Sequence, residues 1–186
     1  RRQRQMCIRD RLKQPETLAR LQVELDAVFA EGPLTGDKLR KMPTLHAVAQ
    51  ETLRMYPVAP MVPRTVVQPF SFAGYQLAEM EPVMAATSVA HFDPQVYTEP
   101  NRFDIDRCLP PRLEQRQPGA FAPYGFGGHT CAGAGFAEVE IMATAATLFH
   151  ELELALADPA YQLHRTYSPS PAPDKNCRIR VVRRRV

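Results

Sequence analysis

Residues 124–133 read YGFGGHTCAG, a loop with glycine at positions 125, 127, 128 and 133 and a cysteine, Cys131, placed just before a helix-forming run. Glycine reaches backbone angles that other residues avoid, so the main chain here can bend sharply and let a flat, bulky ligand approach closely. The run that follows, AGAGFAEVEIMATAATLFHELELAL, is rich in helix formers and repeats apolar residues at Phe136, Val139, Met142, Ala146 and Phe149. That spacing predicts a helix with Cys131 near its N-terminus. The positive end of the helix dipole and unpaired N–H groups favour a thiolate there, as a metal ligand or a nucleophile. An ordinary buried thiol is the plain alternative. A cysteine nucleophile lacks an identifiable oriented base, His129 being only two residues away, and a zinc site on His129 and Cys131 lacks further ligands at recognisable spacing.

Three upstream stretches stand in order before this loop: ETLRMYP at 51–57, HFDP at 91–94 and FDIDRC at 103–108. Glu51 and Arg54 lie at i and i+3 of a predicted helix, so both heads project from one side. Taken alone, such a pair is an exposed salt bridge of little energetic weight. Together with the loop, the four stretches resemble the cytochrome P-450 haem-thiolate monooxygenases. The loop matches that family's signature F-G-x-G-x-(R/H)-x-C-x-G except at Tyr124, where phenylalanine is usual. The other stretches resemble the family's E-x-x-R helix, its H-x-D-P element and its F-x-P-x-R-F segment. In the last, Ile105 replaces proline and Cys108 replaces phenylalanine. Arg107 takes the arginine position because that register leaves Phe103 on the family's preceding phenylalanine; Arg102, in PNRF, is the rival.

The resemblance implies a mainly α fold with a small β component, the C-terminal part of the cytochrome P-450 fold. It implies haem b, with Cys131 as the thiolate ligand of the iron, and an electron-rich thiolate promotes O–O cleavage. Tyr124, Gly125, Phe126, Gly127, His129 and Gly133 would contact the cofactor, with His129 and Arg64 on its propionates. An arginine fork suits a carboxylate. Phe126 and Phe136 would shield the sulfur. Glu51, Arg54 and Arg107 would form a buried structural network. Substrate contacts would come from Val58–Val62 and Ser168–Ala172, whose apolar, proline-bearing character fits a lipophilic molecule. The activity implied is insertion of one atom of O2 into an organic substrate, with electrons from a ferredoxin, flavodoxin or flavoprotein reductase. The long distal helix that handles protons in the family has no counterpart here, so the isolated chain is expected to be catalytically incomplete. A peroxide-driven oxygenase, a haem-thiolate isomerase and a non-catalytic haem-binding or interaction remnant share the same ligand.

Composition bounds the rest. The chain has 186 residues, 45% of them hydrophobic, enough for one substantial core. Its opening, RRQRQMCIRDR, resembles translated sequencing-adapter read-through and is set apart as a non-native tail of residues 1–11, leaving 12–186 as the partial domain. That tail carries five arginines and one aspartate, so the remainder has a net charge of −1 against +3 for the whole. Nucleic-acid binding thereby loses its support. Cys7, Cys108, Cys131 and Cys177 show neither C-x-x-C spacing nor disulfide-scaffold density, which favours a reducing, cytoplasmic compartment. No apolar run approaches the roughly 20 residues that span a bilayer.

Along the chain, residues 15–30 read as an amphipathic helix with Leu18, Leu21, Leu25 and Val28 on one stripe and Pro15 in its first turn. A second helix runs from Thr44 to Tyr56, stopped by Pro57. Residues 58–90 are strand-like, with VPRTVVQ, a turn through FAGY and then EPVMAATSVA. Residues 93–123 are irregular, and RIRVVRRRV at 178–186 alternates like a terminal strand.

Overall fold

A computed structural model describes residue 8, residues 12–166 and residues 171–186. Helix α1, Pro15–Ala30, opens on its proline and buries Leu21, Leu25 and Val28, with Leu18 half-buried against the same core. Ile8, inside the adapter-like stretch, is also buried in that cluster. A one-turn helix α2, Gly36–Arg40, capped by the Thr35 hydroxyl, leads into α3, Pro43–Met55. Glu24 of α1 accepts hydrogen bonds from the backbone N–H groups of Thr44 and Leu45 at 2.7 and 2.9 Å. A carboxylate there satisfies two orphan donors and meets the positive end of the α3 dipole.

Helix α3 is buried on nearly all sides, through Leu45, Ala47, Val48, Ala49, Glu51, Thr52, Leu53 and Arg54. A helix apolar on most faces belongs at the centre of its domain; here the two charged members must find partners inside. After Pro57 the chain turns extended. Strand β1, Val62–Thr65, pairs antiparallel with β4, Pro82–Ala85, and between them β2, Phe70–Phe72, and β3, Tyr75–Leu77, form a hairpin. Residues 90–116 contribute three short 3-10 turns, at Ala90–Phe92, Ile105–Cys108 and Glu114–Arg116, as the irregular composition predicts.

The last helix, α4, spans Ala134–Glu151 and packs Ile141, Met142, Ala145, Ala146 and Phe149 into the core. Phe136 and Val139 share the apolar spacing but are 75% and 52% exposed, because the first two turns of α4 extend past the packed core. One expectation is corrected: the helix-forming run does not stay helical to its end, and LELAL forms strand β5, Leu152–Leu156. The cause is tertiary: β5 pairs with β8, Ile179–Arg184, while Arg185 donates to the carbonyls of Glu151, Phe149 and His150 and so satisfies the helix end. Pairing and capping outweigh the helix propensity of a short Leu/Glu/Ala run. Strands β6, Arg165–Thr166, and β7, Ala172–Pro173, make a minor pair. Among the described residues no helix is long and apolar enough to cross a membrane.

Candidate functional site

The buried charges of α3 define one half of the site. Arg54 donates through Nε and Nη2 to the two carboxylate oxygens of Glu51 at 2.7 and 2.8 Å, and Arg107 donates through Nε to Glu51 Oε1 at 3.1 Å. The side chains of Glu51, Arg54 and Arg107 are 0%, 1% and 0% exposed. Further guanidinium donors reach backbone carbonyls, Arg54 to His91 and Pro100 at 2.6 and 2.8 Å and Arg107 to Thr98 at 2.9 Å, and Arg107 Nη1 also donates to the Glu114 carboxylate. Arg102 contributes only its carbonyl to this cluster, its side chain pairing at the surface with Glu99. The geometry therefore places Arg107 in the network and Arg102 outside it.

Two further side chains carry the network to the cysteine loop, and the sequence reading gave neither a role. Tyr97 is fully buried with Arg54 and Arg107 over its ring at 5.0 and 5.8 Å, and its hydroxyl donates to the Ala120 carbonyl at 3.1 Å. His91 is also fully buried; its Nε2 accepts from the Ala122 N–H at 2.9 Å. That fixes the tautomer: Nδ1 holds the proton and donates to the Arg54 carbonyl at 3.0 Å. Burial pushes His91 below its ordinary value of 6.5; the bond to the Arg54 carbonyl acts the other way and the Arg54 charge adds to the lowering. Cys108 faces the same cluster, where burial and then the Glu51 charge push its thiol up to about 12. It is a protonated structural thiol, unsuited to metal ligation.

The other half is the loop. Gly125 and Gly127 take φ values of 83° and 60°, which a side chain resists, and the Cys131 N–H donates to the Tyr124 carbonyl at 2.9 Å to close the turn. Cys131 is exposed, three residues before α4 begins. A methyl group at Gly127 or Gly128 would meet no atom within 4 Å, whereas one at Gly133 would lie 3.7 Å from the Cys131 sulfur. The loop thus presents a thiol beside a backbone surface clear of side chains. Phe126 and Phe136 are themselves exposed, at 49% and 75%, and do not enclose the sulfur. His129 is exposed, and Arg64 on β1 donates to the neighbouring Pro63 carbonyl and has no carboxylate partner among the described residues. The Tyr124 hydroxyl is buried without a hydrogen-bond partner among the described residues; burial and the Glu138 charge push it up to about 12. A groove of about 530 Å³ lined by Leu39, Met42, His46, Glu138 and Met142 contains no residue of the loop. Of Ser168–Ala172, residues 168–170 lie outside the described residues.

The cytochrome P-450 family model matches residues 11–169, and the chain belongs to that family. It is 33% identical over 159 residues to a sterol 14alpha-demethylase of Mycolicibacterium vanbaalenii, covering 84% of this chain and 35% of that protein. It is 32% identical over 168 residues to a bifunctional cytochrome P-450/NADPH–P-450 reductase of Fusarium oxysporum, covering 88% of this chain and 16% of that one. Among solved structures, the retinoic acid-bound cyanobacterial CYP120A1 superposes with a TM-score of 0.85 at 29% identity, over 95% of this chain and 41% of that one. The P-450DA heme domain superposes at 0.88 over 100% of this chain and 40% of that one, at 24% identity, a likeness of fold. The chain therefore has part of the cytochrome P-450 fold and spans well under half the length of these relatives.

Membership implies a haem cofactor, and the residues present fit one. The thiol is accessible, the adjacent glycines leave a flat face, and an arginine and a histidine stand without carboxylate partners among the described residues.

Proposed function

We propose that this chain is the C-terminal, haem-ligating part of a haem-thiolate monooxygenase that inserts one atom of O2 into a lipophilic organic substrate. The observation that carries the reading is the exposed Cys131 thiol in its glycine cradle at the start of α4. When bound, the haem supplies reductive activation of O2 for transfer of one oxygen atom. The chain's own residues would do the rest. Cys131 would be the thiolate ligand, with Tyr124, Gly125, Phe126, Gly127 and Gly133 as the backbone bed. His129 and Arg64 would hold the propionates through charge-assisted hydrogen bonds. Glu51, Arg54 and Arg107 would fix the segment below the cofactor and take no part in the chemistry.

Apolar exposure at Val58 and Met61 supports a lipophilic substrate near Val58–Val62. The reductase fused to the Fusarium relative supports electron supply to the parent enzyme by a reductase, and a ferredoxin or flavodoxin is the alternative donor in this reading. The family match over residues 11–169 supports one domain over most of the chain, and the cysteine usage supports a cytoplasmic setting.

The test is the ferrous carbon-monoxide spectrum of the haem-loaded parent protein. The thiolate-type band is expected in the unaltered protein and is expected to vanish in Cys131→Ser. An unchanged band in that variant would sink the assignment.

A further inference from the structure

The three-residue network does not balance. Glu51 carries one negative charge against the two positive charges of Arg54 and Arg107, all of them buried. An uncompensated buried charge is strongly unfavourable, so a second carboxylate is required nearby. Glu114 supplies it. Its Oε2 accepts from Arg107 Nη1 at 2.6 Å with the two side chains 10% and 0% exposed, closer than the 3.1 Å between Arg107 and Glu51. Its other oxygen, Oε1, accepts from Arg112 through Nε at 2.9 Å and Nη2 at 2.6 Å, and Arg112 in turn pairs with Asp104 at 2.7 Å.

The backbone is bent to bring Glu114 there. Leu113, immediately before it, takes φ 46°, a left-handed conformation that a branched side chain disfavours. Next to it, the Gln115 amide donates to Gln50 on α3 at 3.1 Å and to the Cys108 carbonyl at 3.3 Å. Glu114 also has a place in the chain path. Arg54, Arg107, Tyr97 and His91 hold residues 91–107 and, through Ala120 and Ala122, the entry to the cysteine loop. Glu114 lies on the intervening leg, 109–119, and ties it to Arg107.

We propose that Glu114 is the fourth member of the buried ion set, a positioning residue whose negative charge neutralises Arg107 and fixes the leg leading into the Cys131 loop. This rests on the haem-thiolate reading only for its effect on the cofactor. The experiment therefore has two readouts: the urea midpoint of the haem-free chain, and the share of thiolate-type ferrous carbon-monoxide spectrum in the haem-loaded parent. Glu114→Gln keeps the shape and removes the charge; Glu114→Asp keeps the charge.

Glu114→Gln is expected to lower the urea midpoint by about 1–2 M and to lose at least half of the thiolate-type signal. Glu114→Asp is expected to retain most of both. A Gln variant that does not fold beside an Asp variant that does supports the assignment equally. Equal losses in the two variants, or failure of both to fold, would assign the residue to packing and overturn the proposal, as would a Gln variant with an unchanged midpoint. If the unaltered parent gives no thiolate-type spectrum, the haem reading fails while the urea result still decides the role of Glu114.

Discussion

The ion network and the cysteine loop are joined through Ala120 and Ala122, yet they are built in opposite ways. In the network, Glu51, Arg54, Arg107 and Glu114 use the chain's own groups as partners, and solvent barely reaches them. In the loop, the turn is closed by backbone bonds, while Cys131, His129 and the faces of Gly127 and Gly128 are open. The difference separates two kinds of demand. Buried charges must be answered within the fold or they destabilise it, whereas an exposed thiol and bare backbone cost little and gain their purpose from a ligand. Support for the site is accordingly a stability property, measurable without cofactor; the site itself is a binding property.

The sharpest way to break this comparison is Glu51→Gln. The substitution preserves volume, strips Arg54 of the carboxylate it pairs with and leaves Arg107 only Glu114, which Arg112 shares, and removing one partner of a buried ion cluster costs roughly 3–5 kcal/mol. Urea denaturation of the haem-free chain measures it; a loss below about 1 kcal/mol would place the cluster among exposed pairs, whose contribution is that small. A smaller effect comes from His91, which must be neutral for Nε2 to accept from the Ala122 N–H. Its value in the folded chain lies below the ordinary 6.5. The unfolded chain therefore binds the proton first, and the contribution of this contact is complete above about pH 6.5 and is lost as pH falls from there toward the folded value. The urea midpoint is expected to decline over that acid range, and the decline to flatten in His91→Asn. An equal slope in both proteins would remove His91 from the link between the two regions.

How far the sequence could be read follows the same division. Helical spacing put Glu51 and Arg54 on one side of a helix, and the glycine-rich loop drew attention to Cys131, but a buried network and a ligand role came only from the family resemblance; the structure shows the Glu51–Arg54 pair buried. Arg107 was chosen over Arg102 by its distance from Phe103, and the structure brings Arg107, not the Arg102 side chain, against Glu51. Glu114 was not legible: it sits in an irregular stretch, seven residues beyond Arg107, and its position depends on the left-handed Leu113 that no periodicity announces. Tyr97 and His91 were missed for a related reason, since their partners are backbone groups 23 and 31 residues away. The strand at Leu152–Leu156 was hidden because its cause is a partner strand at 179–184 and a capping arginine, neither of which alters the local helix-forming composition. The exposure of Phe136 and Val139 shows the same limit, since spacing identifies a stripe but not where the core ends along it.

The smallest expected effect is the most discriminating. Cys131→Ser in the haem-free chain removes a thiol that is exposed, while the contact closing the turn is made by the residue's backbone N–H and survives the substitution. Surface substitutions away from caps, cavities and strained positions leave stability nearly unchanged. The urea midpoint of this variant is therefore expected to match that of the unaltered chain, even as the same substitution abolishes the thiolate-type spectrum of the loaded parent. A substantial fall in the midpoint would mean that the sulfur already holds the loop together without a ligand. Cys131 would then belong with Glu51 and Arg107 as a structural group, and the division between a self-sufficient support and a ligand-dependent loop would not hold.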